Sequence, residues 1–381
     1  MRNPTSYQYV AQFACLQADC PDTCCQGWAM PSDAHQRAMY AQKAPQLLAS
    51  LDEEGNFKQQ SPGGFCVEFK GGICGIHATQ GAEMLGDSCH FYPRVMRRLG
   101  EQVRVAAQLS CPETLRLLLT LEQPFALATT PMERLPLRLR DATPETLNGE
   151  QAAEIVDFFI GAAGDATSDL PTTLRRLVAY AQFAPPLNHW QDWLALDTLL
   201  PPPRAQPTNP HMLLYALCLQ IATAPRIARP RLDAVVASME AALGCRMDWQ
   251  SRVIDSAPDA AARYETLRAQ WHAHAEPVLT PVLRRWLQAQ LALAAFPFGG
   301  AFAGDRAEAM RLLAVRFATV RLALMCAFAP AMETPQLPRE IDVMQSLARF
   351  IDHVADAELV RLIYRDAGWS DLAGLSGLLE T

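Results

Sequence analysis

The chain has 381 residues, 50% hydrophobic and 19% charged, with a formal net charge of -7 and a pI near 5.7. That length supports more than one domain and a substantial core. The acidic balance gives no general electrostatic footprint for nucleic acid, which favours a basic face.

The first residues, MRNPTSYQYVAQFACLQ, have no apolar run behind a basic start and do not read as a secretion signal. In chain order, the next 100 residues are set apart by their cysteines. Eight of the 11, Cys15, Cys20, Cys24, Cys25, Cys66, Cys74, Cys89 and Cys111, fall in the first 111 positions. Glycines gather beside them in SPGGF, KGGICG and QGAEMLGDSC, marking turns and close backbone approach. One helix interrupts this loop-rich segment, in PSDAHQRAMYAQKAPQLLASL, with a Ser/Asp cap after Pro31.

From CPETLRLLLTLEQP onward the periodicity is helical. Residues 149–162 place Ala152, Ile155, Val156 and Phe159 on one face. Similar faces recur at 174–183, 212–221, 232–243 and 281–295. Asp305 reads as the cap of a further helix, with Glu308 three residues on. That helix contains the most apolar stretch, but Arg311, Arg316 and Arg321 would be costly in hydrocarbon, so it reads as a buried helix rather than a membrane span. No sustained alternating strand pattern competes with the helices. The fold expected is mainly α: a cysteine-rich, loop-rich region over 1–121 packed on the concave side of a multi-helix bundle over 122–381. The proline-rich 200–210 forms a subdomain joint.

With no export signal the expected compartment is cytoplasmic, where thiols stay reduced and clustered cysteines serve as metal ligands or redox groups more often than as disulfides. Four thiolates complete a tetrahedral zinc site or hold an iron-sulfur cluster, and the spacing here does not choose between them. Neighbouring cysteines are expected to point in different directions, which leaves one of Cys24 and Cys25 as a direct ligand. Cys218, Cys245 and Cys326 fall on apolar helical faces and read as small buried hydrophobes.

The blocks FACLQADCPDTCCQGW, GGFCVEF, GGICGIH, LGDSCHFYPR and LSCPETLRLLL, in that order, resemble the cysteine blocks of the flagellin lysine-N-methylase family. They are also similar to a smaller zinc- or iron-chelating cysteine-cluster family. The likeness covers about residues 9–121. It implies a methyltransferase that moves a methyl group from S-adenosylmethionine to lysine amines of flagellin, with a [4Fe-4S] cluster. The metal ligands it implies are Cys20, Cys24, Cys25, Cys66, Cys74 and Cys89, with Cys15 and Cys111 as outer members. The second family implies instead a non-catalytic zinc- or iron-binding module fused to a helical interaction domain. The middle block departs from the usual C-P-F-L, reading Cys66-Val67-Glu68-Phe69.

Lysine methylation needs a neutral amine, yet a free lysine is almost wholly protonated at pH 7. A base and an aligned acceptor are therefore required, and the sulfonium donor suits carboxylates and aromatic faces. Asp22, Trp28, Asp87, Tyr92 and Glu113 flank the cysteine blocks and are the candidates for these tasks. Arg94 is a candidate for a cofactor carboxylate, and His77 and His90 for replacing a thiolate. No G-x-G-x-x-G follows a strand. The C-x3-C-x2-C spacing of radical S-adenosylmethionine enzymes would need a cysteine where Gly27 stands.

Overall fold

The computed structural model describes residues 4–27, 30–61, 64–132, 134–183, 192–204, 211–224, 230–328, 337–353 and 356–380. Trp28 and positions 205–210 of the expected joint lie outside the described residues. The chain opens on β1 (Thr5–Tyr7) and the short helix α1 (Gln8–Ala11). Next, α2 (Ala34–Lys43) starts where the sequence places its cap: Asp33 Oδ1 accepts from the Gln36 amide at 2.7 Å. It stops before Pro45, which begins a separate 3-10 turn.

The hairpin of β2 (Phe69–Lys70) and β3 (Ile73–Cys74) turns on Gly71 and Gly72. Both have positive φ, the geometry that a tight two-residue hairpin loop demands. The helices α3 (Gly75–Gln80) and α4 (Asp87–Phe91) complete the cysteine-rich stretch.

A second hairpin, β4 (Arg94–Leu99) and β5 (Gln102–Ala107), leads into α5 (Pro112–Thr120), then β6 (Leu127–Thr129) and β7 (Arg140–Asp141). These strands and β1 make a five-stranded mixed sheet in the order β6-β1-β5-β4-β7. The sheet corrects the expectation of a region without strand patterning. Alternation is hidden in β5 because its inner half is buried throughout, Arg104 included, and Arg104 escapes an uncompensated burial by pairing with Asp157 at 2.6 Å.

The rest is helical, and the fold as a whole is mainly α with this small sheet. Helix α6 (Gly149–Gly164) begins with a capping box between Asn148 and Gln151, and Ala152, Ile155, Val156 and Phe159 are buried as their spacing predicts. There follow α7 (Leu170–Phe183), α8 (His211–Thr223), α9 (Pro230–Leu243), the hairpin of β8 (Cys245–Asp248) and β9 (Val253–Ser256), α10 (Ala260–Gln270) and α11 (Glu276–Ala294). The chain ends in α12 (Arg306–Phe328), α13 (Leu337–Ile351), α14 (Ala357–Asp366) and α15 (Leu372–Glu380).

Helix α12 is the buried axis, in contact with α7, α9, α13 and α15. The Glu308 amide donates to Asp305 Oδ1 at 2.9 Å, and the Glu308 carboxylate takes bonds from Arg361 and Tyr364 of α14. Arg321 donates to the carbonyls of Leu378 and Leu379, which removes the cost of carrying it inside. Among the described residues no helix is long and apolar enough to cross a membrane.

Two apolar cores result. The large one runs from Tyr7 to Leu379 and includes β1, β4, β5 and α5, so the sheet belongs with the helices in packing. The small one, Tyr40, Ala44, Leu47, Leu51, Phe57, Ile76, Met84 and Leu85, lies wholly in the cysteine-rich stretch, with Cys66, Cys74 and Cys89 against it. In the large core Phe159 is fully buried among Tyr180, Trp193 and Phe296, with centroids 4.6 to 5.7 Å away. Phe159→Ala should therefore cost about 3–5 kcal/mol in urea or guanidinium unfolding, the range for deleting a large buried aromatic.

Candidate functional site: a cavity walled by thiols

Cysteines from all five sequence blocks meet at one cavity of about 470 Å³. Cys15, Cys20, Cys24, Cys25, Cys66, Cys74, Cys89 and Cys111 all line it, joined by Asp22, Glu68, His77, His90, Tyr92, Arg94 and Glu113. Local structure explains the convergence. The Cys66 amide donates to the Cys25 carbonyl at 2.8 Å, tying the first block to the second. The β2–β3 hairpin then folds Cys74 back towards Cys66, opposite Phe69. The Gly75 amide donates to the Glu68 carbonyl at 2.7 Å, and Ser50 hydrogen-bonds the buried Glu68 carboxylate, so the departure at Cys66-Val67-Glu68-Phe69 is built into this turn.

The thiols act on one another. Cys25 hydrogen-bonds with both Cys24 and Cys74: the Cys24 contact and burial push the Cys25 thiol up to about 12 although the Cys74 contact pulls it down, and the same Cys25–Cys74 contact with burial carries the Cys74 thiol well above its usual range. Cys89 is pushed up to about 12, first by burial and then by the nearby Cys25, Cys74 and Cys66. Burial raises Cys20, Cys66 and Cys111 as well, the last to about 11. Cys24 and Cys25 face the same cavity and touch, contrary to the expected divergence. They sit in a turn rather than a strand, so successive side chains are not forced to opposite sides. Among the described residues no three Cys, His, Asp or Glu side chains already converge on a single metal-ion position.

The first block is held from the far end of the chain. Asp22 is ion-paired with Arg349 of α13, accepts from Gln345 Nε2 at 2.6 Å, and has Arg231 of α9 at 3.9 Å. Arg349 also donates to the Gln26 carbonyl at 2.7 Å, and Gln345 to the Ser110 carbonyl at 2.9 Å. One helix thus holds the Cys20–Cys25 loop at Asp22 and just past its end at Gln26, and also the residue before Cys111. Gln345 and Arg349 were not among the sequence candidates; the available signal was a glutamine and an arginine four apart within the apolar run VMQSLARF.

The other candidates divide. Glu113, in the first turn of α5, receives both Arg116 Nε at 2.6 Å and Nη2 at 2.7 Å. Asp87 is not in the cavity wall: it pairs with Arg134 and accepts from the Leu137 amide at 2.7 Å, tying down the 134–137 stretch. Tyr92, which burial keeps well above the usual phenol range, hydrogen-bonds Ser110 at 3.1 Å. Arg94 stacks on Phe13 at 5.0 Å with its Nε unpartnered. His90 turns Nδ1 to the Ala82 carbonyl at 2.8 Å. Cys218, Cys245 and Cys326 are buried in the large core, away from the cavity, with Cys245 2.6 Å from His211 Nδ1.

A mainly α chain with a multi-thiol cavity is thus the class defined by fold and site. Over 122 residues, 29% of this chain, it is 25% identical to the flagellar biosynthetic protein FliU of Salmonella muenchen, 72% of which is covered. Over 122 residues it is also 25% identical to the lysine-N-methylases of Salmonella typhimurium strain LT2 and Salmonella choleraesuis, spanning 30% of each. The relation to that family is therefore distant and partial. No family model matches the chain, and no solved structure matches it.

The hold on Asp22 is measurable. Asp22 and Arg349 are each about a fifth exposed, with side-chain accessibilities of 18% and 20%, and Arg231 remains nearby. Arg349→Leu should therefore cost about 2–3 kcal/mol in denaturant unfolding, somewhat below the loss for a fully buried pair. A thiol-alkylation time course followed by peptide mapping should show faster labelling of Cys20, Cys24 and Cys25, with Cys326 unchanged.

Proposed function

We propose that the protein is a methyltransferase acting on lysine side chains of flagellin, with S-adenosylmethionine as donor and an iron-sulfur cluster held by the cavity thiols. The observation that carries this reading is that all five cysteine blocks line one cavity, in a chain partly similar to lysine-N-methylases.

The donor set suits such a group. Thiols are the side chains that iron-sulfur clusters and zinc take, and a cavity of about 470 Å³ has room for more than a bare ion. Cys25, Cys66, Cys74 and Cys89 are the residues that would hold it, with Cys24 and Cys20 beside them. When bound, a cluster supplies a redox centre and Lewis-acid iron. The chain's own residues do the rest. Of the wall carboxylates Asp22 is taken by Arg349 and Glu113 by Arg116, which leaves Glu68 to face a sulfonium, and Arg94 puts a guanidinium there for a carboxylate. The substrate amine must reach this wall neutral, so burial and a proton acceptor are needed.

Anaerobic purification with iron, sulfide and zinc analysis, a visible spectrum, and incubation with flagellin and labelled S-adenosylmethionine test the reading. A brown protein that labels flagellin lysines, and falls to background in Cys74→Ala and Cys89→Ala, is expected. Colourless protein carrying stoichiometric zinc and transferring nothing would sink it and leave the metal-module reading.

A further inference from the structure

A chain of hydrogen bonds leads away from the cavity. Tyr92 lines the wall, and its hydroxyl is 3.1 Å from Ser110 Oγ. Ser110 is only 2% exposed, and its Oγ is 2.8 Å from His353 Nε2. His353 is exposed. Three segments thus place phenol, hydroxyl and imidazole in series, from the thiol cavity through a buried serine to the surface. The Gln345 bond to the Ser110 carbonyl fixes the middle member.

A serine hydroxyl has one proton to donate, so it cannot donate to both neighbours. Either hydroxyl can be the donor between Tyr92 and Ser110; with Tyr92 donating, Ser110 is left to donate to His353 Nε2. Burial of its inner edge and the neighbouring Arg349 hold the His353 imidazole down to about 4, which keeps it neutral with that nitrogen available as acceptor. In that arrangement every bond in the series points outward.

We propose that Tyr92, Ser110 and His353 form the proton exit of the cavity. This rests on the methyl-transfer reading. Transfer from a sulfonium to a lysine ammonium forms one C–N bond, breaks one C–S bond, and releases one proton to leave a methylammonium and a neutral thioether. That proton reaches the Tyr92 oxygen as the phenol passes its own to Ser110, and Ser110 passes its own to His353 Nε2. The imidazolium then gives a proton to water. No phenolate or alkoxide forms, and no oxidant or reductant is consumed.

Two measurements test it. In 15N NMR of the imidazole at pH 7, His353 should be the neutral Nδ1–H tautomer, and Ser110→Ala should abolish that preference; an Nε2–H tautomer in the unaltered protein overturns the proposal whether or not methyl transfer is seen. In transfer assays on flagellin at low buffer, His353→Ala and Tyr92→Phe should each be slower by about tenfold or more, with unchanged melting temperature and metal content. Added imidazole should restore His353→Ala. Wild-type rates in both variants, with no response to imidazole, overturn the exit while leaving the methyltransferase standing. An unaltered protein that transfers no methyl group overturns the methyl-transfer reading and the exit's role with it.

Discussion

The cavity depends on the hold that α13 exerts on Asp22. The Cys20–Cys25 loop has almost no regular secondary structure of its own, and backbone bonds alone do not orient its thiols. A carboxylate in that loop, met by Arg349, Gln345 and Arg231, gives it a fixed position relative to the large core. Because these groups are mostly removed from water, each needs the others, and losing one strands a charge. The same helix secures Ser110, and through it the wall on the Tyr92 side. The helical body is therefore a structural participant in the site rather than a passenger behind it.

Helices were legible because amphipathic spacing and capping residues agree. Asp33, Asn148 and Asp305 all cap where a polar residue precedes an apolar period. The sheet was not legible. Arg104 stands at an inward position of β5 and looks like a break in the pattern until Asp157 is seen beside it. The cysteine set was legible as residue types in order, and the chain does bring all eight to one cavity. Their partners were not, because Asp22 and Gln345 are 323 positions apart, and nothing local in either segment announces the other.

Function divides in the same way. The thiol cavity carries recognisable chemistry, while the acids beside it are largely engaged: Glu113 with Arg116, Asp22 with Arg349, and Asp87 outside the wall. Proximity to a cysteine block was thus a poor guide to which carboxylate is available. Burial holds the Tyr92 phenol well above its usual range, and its hydroxyl is hydrogen-bonded to Ser110.

The two separate cores bear on how evenly the molecule is held together. The smaller has eight apolar side chains, with three cysteines packed against it, and a unit of that size gains little from burial alone. A bound soft metal would supply much of what is missing. Without such a tie this part of the chain would loosen ahead of the helical body, and a quality-control protease would meet a half-open tip first. The lifetime of each copy would then be set at the small core rather than at the large one.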